Sequence, residues 1–296
     1  MYGGAKFTLS YMGEESDQHV IDLYDVAQAL VGFQRSLALT AHLVINGEII
    51  TQSPSLKGAR IFTLPPEEGS WKITTIVLAA GTGLFSIGTA QNNSPIGHLV
   101  YSLYDYVVSE SLGVHVDYNK SLGKLYEEAK KKELPIRPVQ QYQADSLLEK
   151  CHTAIQEMHR PIYKTQTASE AAITANVSGK DEPLNTTLTL DTYEFIHETR
   201  TSEAPETFKG KVTSYNTNTF KGRVYIPMFG KPVSFQLSPN SRSQKTARLI
   251  TTSLRNTALG NSEETATEIY IVAFRNTSRT GHLKSLSVVQ VSDQAP

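Results

Sequence analysis

The chain has 296 residues, 39% of them hydrophobic, with 28 Lys and Arg against 29 Asp and Glu. That length holds one large domain or two ordinary ones, and the apolar content is enough for real cores, which sets disordered and fibrous classes aside. A single cysteine, Cys151, excludes an internal disulfide and a thiolate-rich zinc site.

The formal charge of −1 hides a segregation: from Glu206 onward there are 12 Lys and Arg against 5 Asp and Glu, a net +7, which leaves −8 before it. The opening residues show no basic segment followed by an apolar run and a small-residue cleavage site, so a cytoplasmic protein is expected.

In chain order, "AKFTLSYM" reads as a strand, and Ser16 and Asp17 read as caps for a long helix over 20–45. Its apolar positions, Leu23, Ala27, Leu30, Val31 and Ala38, recur at three and four residues but spread wider than one stripe, as in a helix buried on more than one side. "ARIFTLP" and "GSWKITTIV" follow as two strands joined through Pro-Glu-Glu-Gly, giving a β-α-β-β start.

The run "ITTIVLAAGTGLFSIGTA" at 73–90 admits three readings. Gly81, Gly83 and Gly88 misplace the third glycine of a dinucleotide fingerprint, and the order before them does not open a βαβ unit, although Asp105 lies at a tolerable distance for a ribose ligand. No Asp, Glu, Lys or Arg occurs between Lys72 and Asp105, but five Thr and Ser and the polar "QNNS" make the window too polar to span a bilayer, so no membrane partner is favoured. The preferred reading is a buried strand leading into a Gly/Ala-rich helix packed within or between subunits.

Helical patterns follow at 94–111, 120–132 and 139–160. The Thr-, Ser- and acid-rich stretch 166–205, with a short helical reading near Tyr193, is expected to connect two domains. From Phe208 the rhythm changes to "FKGKVTSY", "FKGRVYIPM" and "KPVSFQL", then a helix over "SRSQKTARLITTSLRNTAL" ending at Gly260, then "TEIYIVAFRN" and "GHLKSLSVVQV". The fold class expected is α+β. An α+β, mostly helical domain over 1–165 and the connector over 166–205 precede a small barrel over 206–296.

The order β-β-β-α-β-β over 208–291 resembles the OB-fold, whose helix lies between the third and fourth strands. "LYDVAQALVGFQRSLALTAHLV" followed by "PPEEGSWKI" resembles uncharacterised bacterial proteins, some from antiviral defence loci, and brings no catalytic residues with it.

Catalytic frames are absent: no Gly-x-Ser-x-Gly elbow, P-loop, His-Glu-x-x-His or calcium loop occurs. Cys151 reads as a buried thiol. Glu149-x-x-His152 and Glu194-x-x-His197 repeat the spacing of di-iron bundles, with Glu110 and Glu170 as the further carboxylates; solvated helix faces explain them as well, and no cofactor is expected.

The resemblance to an OB-fold implies single-strand binding on aromatics and basic loops. The first loop offers Tyr215, Asn216, Phe220, Lys221 and Arg223; the last offers Arg275, Asn276, Arg279, His282 and Lys284, with Lys209, Lys211 and Lys231 enlarging the positive field. The reading is a non-catalytic subunit binding single-stranded nucleic acid or a nucleotide-containing ligand, as a homo-oligomer or within a larger complex such as a defence assembly. Its rivals are an oligomeric scaffold that binds protein alone and a di-iron or nucleotide-dependent enzyme.

Overall fold

The computed structural model describes residues 5–50, 56–64, 71–79, 95–118, 122–131, 138–177, 179–260, 267–278 and 281–295. It divides into two compact units, Met1–His197 and Glu198–Pro296, each with its own apolar core.

The first unit is a five-stranded antiparallel sheet with helices. Its strands are β1 (Ala5–Met12), β2 (Ala59–Thr63), β3 (Lys72–Ala79), β4 (Glu170–Val177) and β5 (Lys180–Pro183), in the order β2-β3-β1-β4-β5. Register places Phe7, Leu9 and Tyr11 on one face with their partners Thr75, Ile73, Ala175, Ile173 and Ala171; the opposite face carries Thr8 and Thr74, whose hydroxyls meet at 2.9 Å. This period-two alternation leaves one face for the core.

Among the described residues this unit has six α-helices: α1 (Leu23–Asn46), α2 (Pro95–Ser111), α3 (Lys124–Lys131), α4 (Gln141–Glu157), α5 (Arg160–Tyr163) and α6 (Leu190–His197). Phe7 meets Tyr104 of α2 edge-on, with ring centroids 5.5 Å apart. Gly32 brings α1 close to α4, since a Cβ there would fall 2.3 Å from the Ala154 carbonyl oxygen.

Two expectations change. Ser16 and Asp17 do not cap α1. Asp17 accepts from the Gly13 N–H at 2.8 Å, the Ser16 N–H donates to Thr167 O at 2.9 Å, and both residues sit in a 3-10 turn that His19 ends at φ 63°. Asp22 caps α1 instead, accepting from the Asp25 N–H at 2.8 Å.

The stretch 166–205 is also more than a connector. Its alternating "EAAITANV" supplies β4, hydrogen-bonded to β1, so the sheet is completed by sequence more than 150 residues from β1. The Gly/Ala-rich segment 80–90, with Gly81, Gly83 and Gly88, lies outside the described residues.

In the second unit β7 (Glu206–Asn216), β8 (Lys221–Ile226), β9 (Lys231–Leu237), β10 (Glu268–Thr277) and β11 (Leu283–Ser292) close in the order β7-β8-β9-β11-β10 and back to β7. β9 and β11 run parallel and every other contact of the ring is antiparallel. Helix α7 (Gln244–Ala258) lies between β9 and β10 in sequence, which makes this an OB-like barrel.

Closure depends on bulges between Val212 and Ser214 and between Val272 and Ala273. At the first of these the Val212 N–H donates to Ser253 Oγ of α7 at 3.0 Å, and Ser253 donates onward to Thr267 O at 2.6 Å. Phe208, Val212, Val224, Ile226, Phe235, Ile271 and Leu286 are among the side chains that fill the interior. A short strand, β6 (Arg200–Thr201), adds to the outer edge of β10.

Candidate nucleic-acid interface

The two predicted loops differ in how much they leave for a ligand. Beyond Ala273, β10 has no partner in β7, whose first residue, Glu206, pairs with Ala273. Unpaired edge groups need partners. Residues 198–202 supply them: Thr201 pairs with Asn276, Arg200 with Thr277, and Ser202 exchanges bonds with the backbone of Arg275 at 2.9 and 3.0 Å.

Side chains expected to hold nucleic acid are drawn into this attachment. Asn276 donates to Ser285 Oγ and Ser287 Oγ at 3.0 and 2.9 Å and accepts from Thr201 Oγ1 at 2.9 Å. Lys284 Nζ donates to Glu198 O at 2.9 Å and Thr199 Oγ1 at 2.7 Å, and desolvation pushes its ammonium below the usual range. Arg275 pairs with Glu206 at 2.6 Å and lies 5.5 and 5.6 Å from the Phe208 and Phe229 ring centroids. His282 is exposed in a turn closed by Ser278, and Arg279 lies outside the described residues.

The first loop is a built turn with one open side. Asn216 Oδ1 accepts from the Asn218 and Thr219 N–H groups at 2.9 and 3.2 Å, and Phe220 holds φ 57°. Arg223 is not in this loop: β8 begins at Lys221, and the Arg223 side chain, two residues into the strand, is only 4% exposed. Tyr215 is half-buried, its ring parallel to Phe235 with centroids 6.2 Å apart; desolvation raises its phenol and nearby Arg242 opposes that shift. Lys221 is half-buried at the head of β8.

What the sequence reading missed is the helix beside this loop. Arg242, just before α7, places its guanidinium 4.5 Å from the Phe220 ring centroid. Lys245, Arg248 and Arg255 follow on α7 at spacings of three and seven, so they share a face, and all are exposed. Among the described residues no carboxylate pairs with any of the three. A sequence signal existed: between Glu206 and Glu263 there are nine Lys and Arg and no Asp or Glu.

The glycines of the nucleotide reading, Gly81, Gly83 and Gly88, lie outside the described residues, while most residues of the metal reading lie within them. Among the described residues no group of three His, Cys, Asp or Glu converges, so Glu149, His152, Glu194 and His197 do not assemble a metal cage. His197 instead stacks on Tyr193 at 5.0 Å and meets Gln156 Nε2 at 3.5 Å, while Glu110 is held by His115 at 2.6 Å and Glu170 lies in β4. Asp105 is buried, accepting from the Asn185 backbone N–H at 2.8 Å, the Asn185 side-chain amide and Ser109 Oγ. Desolvation raises its carboxyl and those hydrogen bonds oppose the rise. It ties residue 185 to α2. Burial pushes the Cys151 thiol up to about 12, leaving it unreactive at neutral pH. No helix among the described residues is long and apolar enough to cross a membrane.

The fold and this surface define a class: an α+β unit followed in one chain by an OB-like barrel with an exposed cationic helix. The chain belongs to the family described as a domain of unknown function (DUF7946), whose model matches residues 7–197. A second model, described as a family of unknown function (DUF7947), matches residues 204–292. The boundary between the two matches falls where the two compact units divide. No curated protein and no solved structure matches the chain.

Proposed function

We propose that the chain is a non-catalytic subunit that binds single-stranded nucleic acid on its OB-like barrel, along the first loop and helix α7. The observation that carries this is the exposed row Arg242, Lys245, Arg248 and Arg255, which begins against the Phe220 ring and whose three helical members meet no carboxylate among the described residues. Basic side chains hold phosphates and an aromatic platform accepts bases without sequence preference. The last loop, where the side chains of Asn276 and Lys284 are already hydrogen-bonded within the barrel, plays the lesser part. A role in a bacterial defence complex rests on the sequence resemblance alone.

The test uses the full chain and a labelled single-stranded oligonucleotide, DNA and RNA in turn, followed by fluorescence anisotropy. Four phosphate contacts give a log–log salt slope of about −3, so affinity falls about 50-fold between 50 and 200 mM salt. The triple variant Lys245→Glu, Arg248→Glu, Arg255→Glu is expected to lose binding, and Arg275→Ala to keep the slope. Binding that survives the triple reversal, or no binding at 50 mM salt, sinks the proposal.

A further inference from the structure

Residues 198–202, Glu-Thr-Arg-Thr-Ser, attach to the barrel where OB-folds use their last loop to hold a ligand. The segment belongs to the second unit, and its attachment is thin. β6 pairs two residues with β10, where β7 pairs six. Thr199, Arg200 and Thr201 are exposed, and all five residues are polar. The ion pair of Arg200 with Glu198, at 3.6 Å, joins two exposed side chains and stabilises little. A segment held by a few surface hydrogen bonds opens at much lower cost than the strand it lies on.

What this segment covers is polar and cationic. Lys284 Nζ donates to Glu198 O at 2.9 Å and Thr199 Oγ1 at 2.7 Å, Asn276 Oδ1 accepts from Thr201 Oγ1 at 2.9 Å, and Ser202 bonds the Arg275 backbone at 2.9 and 3.0 Å. A carbonyl and a hydroxyl oxygen therefore accept from the ammonium in the way that phosphate oxygens do. Desolvation lowers the Lys284 ammonium, so neutral oxygens hold it at the expense of its hydration. A phosphate is the stronger acceptor, because a hydrogen bond between two ions is about twice as strong as one between neutral groups. The composition fits the same picture. From Glu198 to Glu206 there are three Glu and one Arg, against nine Lys and Arg and no acid between Glu206 and Glu263, so an acidic stretch is laid on a basic barrel.

We propose that residues 198–202 are an autoinhibitory strap, displaced by single-stranded nucleic acid, whose release adds Lys284, Asn276 and the freed edge of β10 to the contacts made by α7 and the first loop. The inference rests on the nucleic-acid reading above. Opening leaves the barrel closed, because Glu206 keeps its register with Ala273 and its pair with Arg275, and residues 203–205 form the joint. In the closed state the last loop contributes little, and the cations of α7 make the first contact.

Loosening and locking the strap in the full chain test this, read by anisotropy with the same oligonucleotides. Thr199→Ala, Thr201→Ala and Ser202→Ala together remove the strap's side-chain bonds and leave every cation in place. Each bond removed shifts an open–closed equilibrium about fivefold, and apparent affinity rises with the open fraction. The triple variant should bind about tenfold tighter at 50 mM salt, with a log–log slope steeper by about 0.7 for the phosphate that Lys284 gains. Thr201→Cys with Asn276→Cys places two thiols at directly opposed positions, to be joined by oxidised glutathione, while the native Cys151 is buried. The reduced form should bind about fivefold tighter than the disulfide form of the same protein. Circular dichroism shows that each variant is folded. If the wild type binds and the triple variant binds no tighter, or if the reduced and disulfide forms bind alike, the strap is overturned and the nucleic-acid reading stands. If neither the wild type nor any variant binds at 50 mM salt, both fall.

Discussion

His159, between α4 and α5, makes the stability of the first unit depend on acid. Its side chain is fully buried; Nδ1 lies 2.9 Å from Ile155 O and Nε2 lies 3.0 Å from Thr192 Oγ1. The ring donates to the carbonyl through Nδ1, and burial favours its neutral form. Desolvation pushes its pKa down from 6.5 to about 4, against the opposing effect of backbone hydrogen bonds. Between those values the unfolded chain binds a proton that the folded chain refuses, so stability falls as the pH falls. A shift of this size corresponds to about 3 kcal/mol in total, of which about 2 kcal/mol is lost between pH 7 and pH 4.5. Trp71, the only tryptophan, packs against Tyr11 in this unit at 5.8 Å, so its fluorescence reports on the right core. Urea unfolding followed at Trp71 at several pH values should show this slope in the wild type, and His159→Gln should flatten it by about 2 kcal/mol over the same window. Desolvation also lowers His42, which adds to the slope in both proteins and so cancels in the comparison. If the variant loses stability with acid as steeply as the wild type, the buried neutral histidine is not the cause.

The barrel and the thiol give two further expectations. At Gly222 an added Cβ would lie 2.3 Å from Ser214 O and 2.8 Å from the Phe235 ring, so Gly222→Ala should cost the barrel about 2–3 kcal/mol, read from its urea midpoint; an unchanged midpoint means β7 and β8 do not approach this closely. Cys151 is buried, so modification by an aromatic disulfide should be slow in the native protein and rapid in urea; fast native reaction would contradict its packing between α4 and the Ser36 carbonyl.

Much of the second unit was legible because its strands are short, alternate cleanly and are separated by turn residues. "KPVSFQL" coincides with β9, and the helix stops near Gly260. In the first unit the β-α-β-β start was readable from period alone. The partner of β1 on its other side was not, because local periodicity carries no information about a pairing as distant as Phe7 with Ala175. The site was read less well for a related reason. Arg275, Asn276 and Lys284 lie where OB-fold loops hold ligands, but the sequence does not reveal that 198–202 would come to the same edge and engage them. Arg223, within the expected strand "FKGRVYIPM" and also counted as a loop contact, shows that charge alone does not tell which strand residues are buried.

Lys245, at the start of α7, is placed against local stability, and that placement can be measured. Ser243 caps the helix, accepting from the Thr246 N–H at 3.1 Å, so Lys245 sits in the first turn, where the helix dipole disfavours positive charge; that turn has no acidic residue. Arg242 stands just before the cap, which adds to the unfavourable field. A helix optimised for the folded barrel alone would carry Asp or Glu here. Lys245→Glu should therefore stabilise the barrel by about 0.3–1 kcal/mol while weakening binding to a single-stranded oligonucleotide. The opposite signs matter more than either magnitude. A charge retained only for solubility predicts a stability gain with no loss of binding, and one retained for packing predicts a stability loss. A gain in urea midpoint together with weaker, less salt-sensitive anisotropy binding is the result expected of a first turn kept basic for a phosphate; a loss of stability, or binding unchanged at 50 mM salt, removes α7 from the interface.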